Sequence, residues 1–178
     1  MGMNHLDLPF TMQDIPSRDE IRQQNELLQL ALPETGLHAL LRLMRVGNDL
    51  QAAVASHMQE HGISMARFAV LAQLLRSGDH QLTPSVLAER VGVTRATVTG
   101  LIDGLESSGW IRRQIHPSDR RSVNIELTEE GIAFLRTILP VHAEHITGMV
   151  RDIPEEDLLH LEHTLTLLER NLEVANRG

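Results

Sequence analysis

The sequence predicts a mainly helical chain with a small β-wing, and three observations carry that reading. Two short amphipathic segments, each with a threonine at its start, meet at Gly92. Two segments of alternating apolar residues follow, joined by Pro117-Ser118-Asp119, and long leucine-bearing helical patterns flank the whole stretch from Thr83 to Thr128. Together these describe a winged helix-turn-helix domain carried on a helical dimerisation region formed by N- and C-terminal helices.

Thr83-Pro84 opens the first helix of the motif. A threonine oxygen caps orphan amide hydrogens, and proline at the first helical position has no amide hydrogen to leave unsatisfied. Val86, Leu87 and Val91 supply its apolar stripe, and Gly92 supplies the left-handed conformation that turns the chain. Thr94 caps the second helix, in which Val98, Leu101, Ile102 and Leu105 fall at the spacing that buries one face. The other face carries Arg95, Thr97, Thr99 and Gly100, all short or basic. Asp103 and Glu106 lie further along, where they are expected to point away from a polyanion. Gly100 and Gly104 each lower helix stability by about 1 kcal/mol relative to Ala. Close approach of Gly100 to the backbone of a duplex is one reason for such a residue; relaxed selection on a well-packed helix is the alternative.

Ser107-Ser108-Gly109 ends that helix. Ile111 and Ile115, then Val123, Ile125 and Leu127, alternate with polar residues over 110–116 and 122–127, which is the period of half-buried strands. The residues between them have turn chemistry. The resulting hairpin bears Arg112, Arg113, Arg120 and Arg121, suited to a narrow, electronegative minor groove. A second helix of this kind places its N-terminal half in the major groove, where Arg suits guanine and Thr meets a thymine methyl. The expected partner is therefore double-stranded DNA. The expected contact set is Thr83, Arg95, Thr97, Thr99 and Gly100 from the two helices with Arg112, Arg113, Arg120 and Arg121 from the hairpin.

At 178 residues and 42% hydrophobic content, the chain fits one globular unit. It has no cysteine, which excludes structural disulfides, thiolate metal sites and cysteine-based peroxide sensing. Neither a signal peptide nor a stretch of membrane-spanning length is present, so a cytoplasmic protein is expected. The net charge of −8 is unevenly spread: residues 81–125 hold six arginines against four acids, the rest ten against twenty. Phosphate contact depends on the field within a Debye length of about 8–10 Å, so the acidic remainder discourages non-specific binding without preventing docking. Every basic side chain apart from histidine is arginine, which suits bidentate contacts, although coding bias gives the same result.

Residues 1–16 show no sustained period and read as an arm. Ser17-Arg18-Asp19-Glu20 has the spacing of a capping box and starts a helix to about Leu30. Residues 1–32 thus form an N-terminal arm with an extra helix. A long helical pattern over 34–59 follows, with Leu37, Leu40, Leu41, Met44, Leu50 and Val54, and Gly62 closes it. Ser64 caps the next helix, which ends near Ser77-Gly78. After the wing, Thr128 caps a helix to about Arg151, kinked at Pro140. Pro154 opens the last helix, in which Leu158, Leu161, Leu165, Leu168 and Leu172 repeat at steps of three and four. Such a stripe wants a partner helix. Pairing of these leucines and Leu37 across a two-fold axis makes a homodimer whose reading helices meet successive major grooves of a pseudopalindromic site. Residues 33–62 and 128–178 are assigned to dimerisation and 63–127 to the DNA-binding domain.

Gly92-Val93-Thr94, Gly109-Trp110-Ile111, Asp119-Arg120-Arg121 and Leu127-Thr128-Glu129-Glu130-Gly131 resemble the MarR family of bacterial transcriptional regulators, as does Ile63-Ser64 leading into Phe68-Ala69-Val70-Leu71. The likeness covers roughly residues 33–174. It implies that Arg121 is the wing-tip arginine and Asp119 its orienting carboxylate; Gly100 departs from the larger polar residue of many relatives. The resemblance also implies a small organic acid effector, aromatic or phenolic, between the dimerisation helices and the winged domain. Its lining would be Met44, Arg45, Asn48, Met65 and His142. Arg45 would hold a carboxylate, Asn48 and His142 a ring substituent, and the methionines a flat ring. The implied activity is that of a ligand-responsive homodimeric regulator, a repressor released by its effector.

Two alternatives stay open. One is a dimeric protein-interaction adaptor that keeps the winged fold without DNA readout. The other is a metal-responsive regulator, since His57/His61, His142/His145 and His160/His163 each share a helical face. Each pair lacks an evident third ligand nearby, so no metal and no cofactor are expected. No serine elbow, phosphate-binding glycine loop, cysteine or tyrosine is present, and an enzyme is not expected. Phe10, Phe68, Trp110 and Phe134 are too few and scattered for a single-strand stacking platform.

Overall fold

The computed structural model describes residues 14–116 and 119–175, and for residues 115, 116 and 119–122 it describes the backbone alone. The elements are α1 (Arg18–Leu28), α2 (Glu34–Glu60), α3 (Met65–Arg76), β1 (Gln81–Leu82), α4 (Pro84–Val91), α5 (Arg95–Ser107), β2 (Ile111–His116), β3 (Asp119–Leu127), α6 (Glu129–Val150) and α7 (Glu155–Ala175). The chain divides into two compact units, one reaching Leu139 and the other starting at Pro140. That division falls inside α6, because Leu135 and Ile138 on its first half are buried in the winged core.

In the first unit, local capping sets the helix starts. Ser17 and Glu20 form the expected box: the Ser17 amide donates to Glu20 Oε2 at 2.7 Å and the Glu20 amide to Ser17 Oγ at 3.2 Å. Ser64, Thr83 and Thr94 cap α3, α4 and α5 through their side-chain oxygens. Gly92 takes φ 73° at the end of α4, the left-handed turn that places α5 across α4. Leu71, Leu74, Leu87, Val98, Ile102, Leu105, Ile111 and Ile125 then meet in one core.

The N-terminal helix ends at Leu28, two residues short of the expectation. Gln29 adopts φ 54°, and the Asn25 side chain donates to the Leu32 carbonyl and accepts from the Leu32 amide, folding the chain back. Ile21 is buried where α1 meets α2, and Arg22 pairs with Glu34 at 3.2 Å. His38 Nδ1 donates to the Pro16 carbonyl at 3.0 Å, so the start of α1 is tied to α2 as well.

The sheet is antiparallel in the order β1-β3-β2, with Ile111 opposite Leu127 and Arg113 opposite Ile125. The β1 strand, Gln81↔Glu126 and Leu82↔Ile125, was not expected; two residues are too short to show a period. The wing is fastened to α6 at its base. Thr128 Oγ1 donates to the Gly109 carbonyl at 2.7 Å and accepts from the Gly131 amide at 3.0 Å, while the Thr128 amide donates to the Trp110 carbonyl at 3.1 Å. The Trp110 ring stacks on Phe134 of α6, with centroids 4.0 Å apart. A Cβ on Gly131 would run into the Trp110 carbonyl oxygen, so only glycine lets α6 start this close to the wing.

The second unit holds the remainder of α6 and α7. None of the described residues of α7 is buried, and Leu161 and Leu172 are 49% and 54% exposed.

The obstruction at Gly131 is backbone and has no rotamer to move to. Gly131→Ala is therefore expected to destabilise the protein by about 1–3 kcal/mol. Thermal unfolding followed through Trp110, the only tryptophan, checks this; an unchanged Tm refutes the packing account.

Candidate nucleic-acid interface

The exposed surface of α5 is built by its cap. Thr94, Arg95, Ala96, Thr97, Thr99 and Gly100 are all exposed, while Val98 is buried and holds the helix on the core. The Thr94 and Thr97 hydroxyls lie 2.8 Å apart, and Thr99 Oγ1 donates to the Arg95 carbonyl at 2.9 Å. These bonds leave hydroxyl lone pairs available as acceptors. Thr83 is half-buried, its oxygen capping α4 and 3.0 Å from Ser85 Oγ. Among the described residues no carboxylate pairs with Arg95, so its charge is open to an outside anion.

The two acids of α5 are engaged within the domain. Arg113 Nη2 donates to Asp103 Oδ1 at 2.5 Å, Arg113 Nη1 donates to Glu106, and the Arg113 amide reaches Glu106 Oε1 at 3.3 Å. Asp103 and Glu106 thereby brace the start of β2 against the C-terminal half of α5. One guanidinium thus offsets one of the two carboxylate charges. Hydrogen bonding to Asp103, with the Glu106 charge nearby, raises the Arg113 pKa.

Arg112 donates through Nε to Glu126 Oε2 at 2.8 Å across the β2–β3 register. That hydrogen bond holds the Glu126 carboxyl below the usual carboxylate range. A carboxyl with a depressed pKa stabilises the fold above its unfolded pKa and loses that effect as pH falls through the folded one. The pair is therefore intact at neutral pH. Of the four expected wing arginines, Arg112 and Arg113 are thus occupied by acids of their own chain. The side chains of Asp119, Arg120 and Arg121 lie outside the described residues; their backbone belongs to β3.

The helical glycines of α5 differ. A Cβ on Gly104 would meet the guanidinium of Arg67 from α3, whereas a Cβ on Gly100 would meet nothing within 4 Å. The Arg67–Gly104 contact and the Arg113 cluster had no sequence signature, since each joins separate elements.

The expected effector residues are dispersed over two units. Met44, Arg45 and Asn48 lie on α2 and Met65 opens α3, all in the first unit, while His142 is a buried residue of the second. Met44 is exposed, and Arg45 reaches Asp49 only at 3.8 Å, an exposed pair of little strength. Leu37, Leu158, Leu165 and Leu168 are half-buried and Leu161 and Leu172 exposed, leaving apolar surface open on α2 and α7.

His57 is buried rather than solvated, its ring 4.5 Å from that of His61, and His61 Nδ1 donates to the His57 carbonyl at 2.8 Å. Among the described residues no group of three or more metal-ligating side chains comes together. No helix among them is long and apolar enough to cross a membrane.

The MarR family model matches residues 63–123, which run from just before α3 into β3. The HTH-type transcriptional repressor YetL of Bacillus subtilis is 36% identical over 121 residues, covering 68% of this chain and 72% of that protein. The chain belongs to the MarR family. The HTH-type transcriptional regulator PecS of Dickeya dadantii is 34% identical over 136 residues, 76% of this chain and 81% of PecS. Among solved structures, the MarR family transcriptional regulator AbsC of Streptomyces coelicolor superposes with a TM-score of 0.72 at 25% identity over 80% of this chain and 97% of AbsC. The fold is also that of the MarR family regulator Sco3205 of Streptomyces coelicolor, solved in complex with DNA, with a TM-score of 0.71 at 24% identity over 80% and 90% of the two chains. The MarR domain here is thus a DNA-binding winged helix-turn-helix of a transcriptional regulator.

The Arg113 cluster is partly exposed and screened, which limits its strength to about 0.2–1 kcal/mol per pair. A double-mutant cycle of Arg113→Ala with Glu106→Gln is expected to show coupling of that size in denaturant unfolding. Additivity of the two substitutions would mean that Glu106 does not hold Arg113.

Proposed function

We propose that this protein is a homodimeric repressor that grips a pseudopalindromic duplex operator and lets go when a small aromatic or phenolic acid binds. The observation that carries the reading is the exposed, acid-free N-terminal half of α5, with Arg95 open and the acids Asp103 and Glu106 further along sharing Arg113. The DNA seen with Sco3205 supports a duplex partner for the same fold. In this reading Thr83, Arg95, Thr97, Thr99 and Gly100 approach the major groove, and Arg120 and Arg121 carry the wing into the minor groove. Arg112 and Arg113 stand at the wing base, and their share in binding is to fix its direction.

The exposed leucines of α7 and the exposed Leu40, Leu43 and Leu50 of α2 favour a second copy as partner, because a helix with no buried residue gains little from its own chain. Two copies place two α5 helices at the spacing of successive grooves. An acid held by Arg45, with Asn48 on a ring substituent and Met44 and Met65 on its faces, acts by favouring a spacing that misfits the grooves. Coupling of about 1–3 kcal/mol weakens operator binding roughly 5- to 150-fold. The anchor of α6 to the wing at Thr128 supplies a stiff mechanical link for that coupling.

Binding to the promoter of its own gene is expected to fall steeply with salt, at about −0.9 in log-log slope per phosphate neutralised. Arg121→Ala is expected to weaken binding and flatten that slope without changing Tm. A flat slope in the parent protein favours the protein-interaction adaptor instead.

Arg45→Ala is expected to abolish release by aromatic acids while leaving operator affinity within about twofold, a change under 1 kcal/mol. Fluorescence anisotropy with benzoate- and salicylate-class acids measures both quantities. Release that persists in the variant places the acid elsewhere.

A further inference from the structure

Gly100 lies near the middle of α5, where a glycine lowers helix stability relative to alanine. The fold gives no reason for it. Gly92 and Gly109 adopt positive φ, Gly104 makes room for Arg67 and Gly131 for the Trp110 carbonyl, but a Cβ on Gly100 meets nothing of its own chain within 4 Å. Gly100 has no positive φ either.

Its place on the helix is informative. At about 100° per residue, Gly100 stands about 200° round the helix from Val98, the buried residue that seats α5 on the core. Ala96, one turn earlier, shares this outermost ridge and is also exposed. Within the N-terminal half of α5 this ridge carries only the Ala96 methyl and the bare Gly100 backbone, flanked by Thr97 and Thr99; the exposed Asp103 and Ser107 continue it toward the C-terminal end.

We propose that Gly100 is a specificity-determining residue of the operator contact: its missing side chain lets α5 lie closer to the base edges than a larger residue would allow. The inference rests on the duplex-binding reading above. Depth of insertion then brings Thr97, Thr99 and Arg95 within reach of their contacts, and any Cβ at this position holds the helix off the DNA. The selected operator carries base pairs that suit the deeper seat, so the loss on substitution concerns this sequence more than DNA in general.

The test uses a duplex selected on the parent protein from a random-sequence pool, with unrelated duplex as competitor. Gly100→Ala is expected to raise Tm by several degrees, since alanine is the better helix former and the space is open, and to weaken binding to the selected duplex tenfold or more. Gly100→Leu is expected to lose more than Ala, with non-specific binding lowered far less. Binding of Gly100→Ala within twofold of the parent overturns the proposal and leaves duplex recognition standing. A lower Tm for Gly100→Ala overturns the open-space argument and the proposal with it. Failure of the parent to select any duplex removes the DNA-binding reading itself, and this inference falls with it.

Discussion

The junction at Thr128 is the constraint on which the rest of the winged unit depends. One hydroxyl closes two bonds, to the Gly109 carbonyl that ends the α5 turn and from the Gly131 amide that starts α6. The Thr128 amide closes a third on Trp110. Because Gly131 has no Cβ, the first turn of α6 sits directly on the Trp110 carbonyl, and the Trp110 ring stacks on Phe134 one turn later. The end of α5, the base of the wing and the start of α6 therefore meet at one point. Displacement of any of them strains the other two.

Charge is arranged around that junction with the same economy. The chain is acidic, and several acids of the winged unit stand beside arginines: Asp103 and Glu106 share Arg113, and Glu126 pairs with Arg112. Partly exposed pairs of this kind contribute modestly to stability. They also set the local charge, since fields are screened over about 8–10 Å, and Arg95 meets no carboxylate among the described residues.

By packing, the first compact unit runs on to Leu139, since Leu135 and Ile138 belong to the winged core. Beyond Pro140 the chain buries little of its own. The long leucine repeat of α7 leaves Leu161 and Leu172 about half exposed, and α1 leaves Leu27 and Leu28 exposed beside its well-capped start. Such surface is ordinarily covered by a partner.

How much was legible follows from the range of each interaction. The caps at Ser17, Ser64, Thr83, Thr94 and Thr128 join residues three apart, and the φ of Gly92 is a property of one residue, so sequence alone determined where helices begin and turn. The apolar periods likewise placed Val98, Ile102 and Leu105 of α5 and Ile111, Ile125 and Leu127 of the strands on the buried face, whereas Val123 of the same period is exposed. The short β1 strand, the Arg67 guanidinium over Gly104, the Arg113 cluster and the Trp110–Phe134 stack join elements 7 to 43 positions apart in the hydrogen-bonded cases, and no local pattern encodes such meetings. Only the tertiary structure decided that two wing arginines are occupied by their own acids and that one glycine of α5 lies under the Arg67 guanidinium while the other faces open space. Side-chain type limits what a residue is able to do, but which partner it meets is set by the packing of distant segments.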